Sequence, residues 1–174
     1  GGGIAGMTLA MGLSRHGIKS EIVELSTDCT VIGVGISMQG PALRALRTVG
    51  VLDKIIDSGF GYSHFKACDV DGNVTGQVDL PSLNGPNYPA TTGVMRQALH
   101  EVLKVGVTEA QALVRLGISV VACHQGGDGI RVEFTDGTEG KYDLVVGADG
   151  ANSKMRKLLF GSCLLVLAPS GGAR

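Results

Sequence analysis

Tryptophan is absent from the 174-residue sequence, and aromatic residues of all kinds make up only 4% of it. Its interior must therefore be built from aliphatic side chains. Charge of one sign is equally scarce: 15 Lys and Arg stand against 16 Asp and Glu, a net charge of −1. Without a positive excess there is no long-range attraction for a polyanion, which argues against nucleic-acid binding. Only four cysteines occur, Cys29, Cys68, Cys123 and Cys163. They are scattered singly, with no CxxC pair or Cys/His cluster, which argues against a zinc site or a disulfide framework and fits a reducing, cytoplasmic setting. No run approaches the ~20 apolar residues of a membrane span, and no basic-then-apolar signal segment opens the sequence. The longest late apolar run, Cys163 to Ala168, has only strand length and stops at Pro169. The expectation is a soluble protein with no membrane partner; no feature sets an oligomeric state.

What is abundant is aliphatic surface and glycine. Hydrophobic residues reach 44% against 18% charged, enough burial to offset the entropy of ordering one core. The 28 glycines stand well above the usual ~7% and follow no three-residue period, so they serve turns and close backbone approaches.

Periodicity organises the chain. A glycine-rich loop leads into a helix over Met7 to His16, stopped by Gly17. Glu21 to Leu25 reads as a short aliphatic strand, and the glycine-punctuated stretch from Thr30 to Ser37 as a loop leading to Pro41 at a helix start. That second helix covers Ala42 to Val49. Phe65 to Val70 and Val74 to Val78 flank Asp71-Gly72 as a hairpin. Residues 81 to 89, rich in Pro, Asn and Gly, read as an irregular connection. A helix follows over Met95 to Val105, with Leu99, Val102 and Leu103 on one face, and then a strand over Gly117 to Cys123. Ile130 to Phe134 alternates apolar and polar, Asp136-Gly137 turns the chain, and Tyr142 to Gly147 reads as an apolar, fully buried strand. The plan is α/β.

The chemistry begins at Gly1, Gly3 and Gly6, which form GxGxxG. Glycine at 28 of 174 positions yields about 0.7 such matches by chance, so the motif needs context. The context is present: Ala5, Ala10 and Gly17 continue the small-residue spacing, and Glu24 ends an aliphatic strand near the ~20-residue offset at which a carboxylate meets a ribose hydroxyl pair. Glycine lets backbone approach a pyrophosphate, and the unpaired N–H groups of Ile4, Ala5 and Gly6 at a helix start favour its charge. The plain alternative is a packing turn with Glu24 as a surface acid. A second constellation, Tyr142 to Gly150 with Ser153 and Arg156 behind it, puts Asp149 and Gly150 at the carboxyl edge of a sheet, where open α/β sheets bind ligands. A turn-forming Asp-Gly pair is the structural alternative. The four histidines, His16, His64, His100 and His124, are isolated in sequence and read as surface or packing residues.

These two motifs, in this order, resemble the class A flavoprotein monooxygenases, the aromatic-ring hydroxylases that include para-hydroxybenzoate and salicylate hydroxylases. The resemblance covers Gly1 to roughly Gly161. It implies a Rossmann-like FAD/NAD(P)-binding fold, with Gly1, Gly3, Gly6 and Glu24 as the first fingerprint and Asp149 and Gly150, within VVGADGANS, as the second. Between them the family has an arginine opening a helix that touches the flavin, and Arg96 in GVMRQALHEVL takes that position. Outside the family, Arg96 would read as a solvated helix residue paired with a neighbour such as Glu101. The implied activity is NAD(P)H-dependent insertion of one atom of oxygen into a small aromatic substrate, with FAD carrying the redox chemistry. Related reductases, halogenases, epoxidases and a noncatalytic dinucleotide-binding fragment share the same motifs. Relative to the family the sequence opens without the apolar strand expected before the first glycine, and closes before the third motif and the substrate domain. The expectation is a partial FAD-binding domain over residues 1–161, inactive alone, and a tail over residues 162–174 that matches nothing in the family.

Overall fold

The computed structural model describes residues 1–28 and 33–161. The opening glycines pass into α1 (Ile4–Arg15), followed by β1 (Glu21–Glu24), β2 (Gly35–Gln39), α2 (Gly40–Thr48), α3 (Leu52–Asp57), β3 (Gly59–Tyr62), β4 (His64–Cys68) and β5 (Val74–Asp79). The second half supplies β6 (Thr91–Met95), α4 (Arg96–Glu109), β7 (Leu113–Leu116), β8 (Val120–Gly126), β9 (Gly129–Phe134), β10 (Glu139–Tyr142) and α5 (Lys154–Phe160). The mixed α/β plan read from the sequence holds.

Among the described residues four small sheets arise. β1 pairs in parallel with β7, Glu21 opposite Leu113 and Glu24 opposite Leu116. β6 is the centre of an antiparallel β2-β6-β3 sheet, β9 the centre of β10-β9-β8, and β4 pairs with β5. The core lies between the helices and the β2-β6-β3 sheet: Met7, Ala10 and Met11 of α1 meet Leu43 and Leu46 of α2, Ile55 of α3, Val94 of β6, and Leu99, Leu103 and Val107 of α4. The spacing Leu99, Leu103, Val107 is one face of a helix, and α2 starts as Pro41 suggests, with proline in its first turn. The two long helices approach closely at Gly106, where a Cβ would stand 2.3 Å from the Met11 sulfur.

Several sequence readings are corrected. α1 starts at Ile4, not Met7, because first-turn N–H groups need no partner within the helix and Gly6 is cheap there. Gly35 to Ser37, read as loop, opens β2 because β6 offers it a full antiparallel register; residues 30–32 of that loop lie outside the described residues, as do Cys29, the run from Cys163 to Ala168 and the whole tail. Met95 closes β6 rather than opening the helix, which runs on to Glu109. The strand after Gly117 is displaced to Val120–Gly126. α3, β3 and β7 lacked a clear periodic signal in windows of only four to six residues.

The largest correction concerns Tyr142 to Gly147. Beyond Tyr142 it forms no strand, and Leu144 and Val146 are 69% and 49% exposed. Among the described residues nothing pairs with it, and a cleft of about 1390 Å³ separates it from the β1 edge. Apolar sequence alone cannot bury a strand that has no neighbour. Among the described residues no helix is long and apolar enough to cross a membrane.

Candidate cofactor site

That cleft collects most of the sequence-predicted residues, though not Ile4, Ala5 or Arg96. Gly1, Gly3, Gly6, Glu24, Asp149 and Gly150 all line it, although they come from opposite ends of the sequence. The contact that joins them is backbone on backbone. A Cβ on Gly1 would lie 2.2 Å from the Ala148 carbonyl oxygen, and one on Gly6 would lie 1.9 Å from the Gly1 carbonyl oxygen. No side chain fits at either position, so these glycines are fixed by the protein's own packing.

Gly3 differs. It caps α1 in ordinary extended backbone, φ −80° and ψ −175°, and a Cβ there would meet nothing within 4 Å. Nothing in the chain itself demands glycine at this place. The open space beside it faces the first turn of α1, which has neither a side-chain cap nor an acidic residue. The N–H groups of Ile4, Ala5 and Gly6 therefore carry the partial positive charge of an uncapped helix start, and of the three residues only Gly6 lines the cleft. That donor set fits the pyrophosphate of a dinucleotide.

Glu24 closes β1 beside this loop. Its Oε2 accepts a hydrogen bond from the Gly2 N–H at 2.6 Å and its Oε1 one from the Ser26 N–H at 2.8 Å. Burial pushes its carboxyl up, but the bonds from Ser26 and Gly2 outweigh burial and the net direction is down. The carboxylate stays ionised, and with about four acceptor positions it keeps capacity beyond these two bonds.

Asp149 performs a local task at the start of α5. Its Oδ1 accepts from the Ser153 hydroxyl at 2.5 Å and its Oδ2 from the Met155 N–H at 3.0 Å, while the Ser153 hydroxyl oxygen accepts from the Arg156 N–H at 2.9 Å. Desolvation acts to raise its carboxyl, and the bonds from Ser153 and Met155 hold it below the ordinary value. Gly150 follows at φ +77°, a conformation that favours glycine.

Arg96 does not line the cleft. It is exposed as the first residue of α4 and lies beside Gly33, whose Cβ would stand 3.0 Å from the arginine Cδ. What ties α4 to the loop is a residue with no sequence motif: His100, whose Nε2 lies 3.2 Å from the Gly2 carbonyl oxygen. Sequence reasoning also passed over Gly2, which is buried and whose Cβ would stand 3.1 Å from that of Glu24. The only available signal for His100 was its place one helical turn after Arg96. Among the described residues no group of His, Cys, Asp or Glu could hold a metal ion.

The chain is 33% identical over 165 residues to 2-heptyl-3-hydroxy-4(1H)-quinolone synthase of Pseudomonas aeruginosa, covering 95% of this chain and 42% of that protein. It is 33% identical over 159 residues to aurachin C monooxygenase/isomerase of Stigmatella aurantiaca, covering 91% and 41%. Among solved structures, the tetrameric form of 2-methyl-3-hydroxypyridine-5-carboxylic acid oxygenase superposes with a TM-score of 0.76 at 25% identity, over 92% of this chain and 40% of that one. The p-nitrophenol 4-monooxygenase PnpA of Pseudomonas putida shares the fold, with a TM-score of 0.80 at 21% identity, over 92% and 42%. The chain thus spans about two fifths of the length of these relatives. A family model described as the FAD binding domain matches residues 1–161, and with the glycine cradle, the uncapped α1 and the strand-end Glu24 in place, the chain belongs to that FAD-binding family, whose structural neighbours are class A flavin monooxygenases.

Proposed function

We propose that the chain is the FAD-binding part of an NAD(P)H-dependent flavoprotein monooxygenase that uses oxygen to hydroxylate a small aromatic molecule, working in the cytoplasm. One observation carries the cofactor reading: Gly3 is sterically free within the protein, so the glycine serves something outside the chain that must come against its backbone. In this reading the amides of Ile4, Ala5 and Gly6 hold the pyrophosphate, with Gly1 and Gly6 shaping the turn, and the remaining acceptor positions of Glu24 take the ribose hydroxyls. Arg96 presents a guanidinium to the cofactor from the start of α4, and Asp149 with Gly150 lines the cleft beside it. FAD, when bound, supplies the redox chemistry; the residues here bind and orient it.

The relatives named above support the oxygenase class, and the scattered cysteines, of which Cys68 and Cys123 are free, support a reducing compartment. The direct test is the visible absorbance of the purified chain after incubation with FAD and gel filtration, since retained oxidised flavin absorbs there and a nicotinamide nucleotide does not. Gly3→Val sharpens it: we expect helix content and melting close to those of the unaltered chain, with retained flavin lost. Flavin retained by Gly3→Val would remove the pyrophosphate from this loop.

A further inference from the structure

Gly2 is the buried member of the opening glycines, and both of its polar groups are held by side chains from different elements. Its N–H donates to Glu24 of β1. Its carbonyl faces the Nε2 of His100, which is 4% exposed on α4. A carbonyl accepts only from a donor, so this pair requires the proton on Nε2. A buried carbonyl left without a donor is costly, so the bond constrains where α4 stands relative to the loop. His100 follows Arg96 by four residues on that helix, hence on the same face one turn on.

We propose that His100 is a positioning residue for the FAD site: by donating its Nε2–H to the Gly2 carbonyl it sets the phosphate loop against the helix that presents Arg96. The proposal rests on the FAD reading above for its functional consequence, but the His100–Gly2 bond stands on geometry alone. The Gly2 peptide is clamped between β1 and α4, so the loop and Arg96 move as one unit. Any cofactor that touches both finds them already at the correct separation, which lowers the ordering cost of binding.

The test uses the full chain with His100→Gln, which keeps an N–H donor, and His100→Leu, which does not. Flavin fluorescence titration is expected to show FAD affinity within about twofold of the original for His100→Gln and a loss of about tenfold for His100→Leu. Combined with Arg96→Ala, the His100→Leu loss should shrink, because a misplaced arginine and a missing one cost the same contact. Equal affinities for all three single chains, equal losses for Gln and Leu, or losses that simply multiply with Arg96→Ala would overturn the positioning role. A flavin-free arm separates this from the cofactor reading. Ring nitrogen NMR of the unliganded chain should show His100 as a single tautomer protonated at Nε2, and the His100→Leu chain should show faster amide exchange in the loop at Gly2 and Gly3. A ring exchanging between tautomers, or unchanged loop exchange, defeats the proposal whether or not FAD binds. A chain that takes up no FAD yet passes this arm defeats the cofactor reading instead.

Discussion

Two short segments sit in opposite circumstances. β6 reads Thr-Thr-Gly-Val-Met, yet Thr91 and Thr92 are buried, Thr92 fully, because β2 and β3 flank the strand and the helical core covers it. Leu144-Val145-Val146 is more apolar by any scale, yet Leu144 is 69% exposed. Burial follows neighbours, and hydrophobicity only sets what burial is worth. Side-chain identity therefore says little about which half of the molecule carries its stability.

Substitutions can break or sharpen that contrast. On the covered side, Leu99→Ala removes a fully buried side chain and should cost about 2–5 kcal/mol in urea unfolding; a cost below about 1 kcal/mol would mean the helical core is not where stability lies. At the junction, Gly6→Ala drives a Cβ into the Gly1 carbonyl oxygen and should cost about 1–3 kcal/mol, with loss of retained flavin. Unlike Gly3→Val, it should lower the melting temperature as well, and equal melting behaviour of the two would erase the distinction between a packing glycine and a ligand-facing one.

Glu24→Gln should cost about 1 kcal/mol at pH 7, since the amide replaces one of two acceptors with a donor facing N–H groups. The sign with pH follows from the lowered carboxyl. The wild-type advantage is full above the ordinary value of 4.5 and is lost as pH falls through the depressed folded value. Melting curves of the two chains should therefore converge in acid, and a constant gap down to low pH would mean that the charge is irrelevant. The smallest effect belongs to the open side: Leu144→Ser should change unfolding free energy by less than about 0.5 kcal/mol. A larger loss would show that the exposed segment has a covering partner.

The same contrast explains what the sequence revealed. α1, α2 and α4 were legible because three or four apolar residues recur at helical spacing, and the loop glycines because their spacing is tied to Glu24. β6 was missed because Thr91, Thr92 and Gly93 carry no alternation; only the pairing of Gly35 with Met95 and of Gly59 with Val94 makes the strand, and pairing is non-local. The segment after Tyr142 was misjudged for the reciprocal reason. At the site, the spaced glycines, Glu24 and the Asp149-Gly150 pair were legible and the structure gathers them along one cleft, whereas the His100 contact was not legible, because it depends on a carbonyl 98 residues away.

The backbone nesting of Gly1 against Ala148 and of Gly6 against Gly1 has a kinetic side. A contact that spans nearly the whole described sequence carries a large loop-closure entropy and forms late in folding. During synthesis α1 can coil as soon as it emerges, but the glycine turn ahead of it cannot settle until Ala148 has been made. A ribosome-bound intermediate ending before Ala148 would hold the helix without the backbone contact that fixes Gly1.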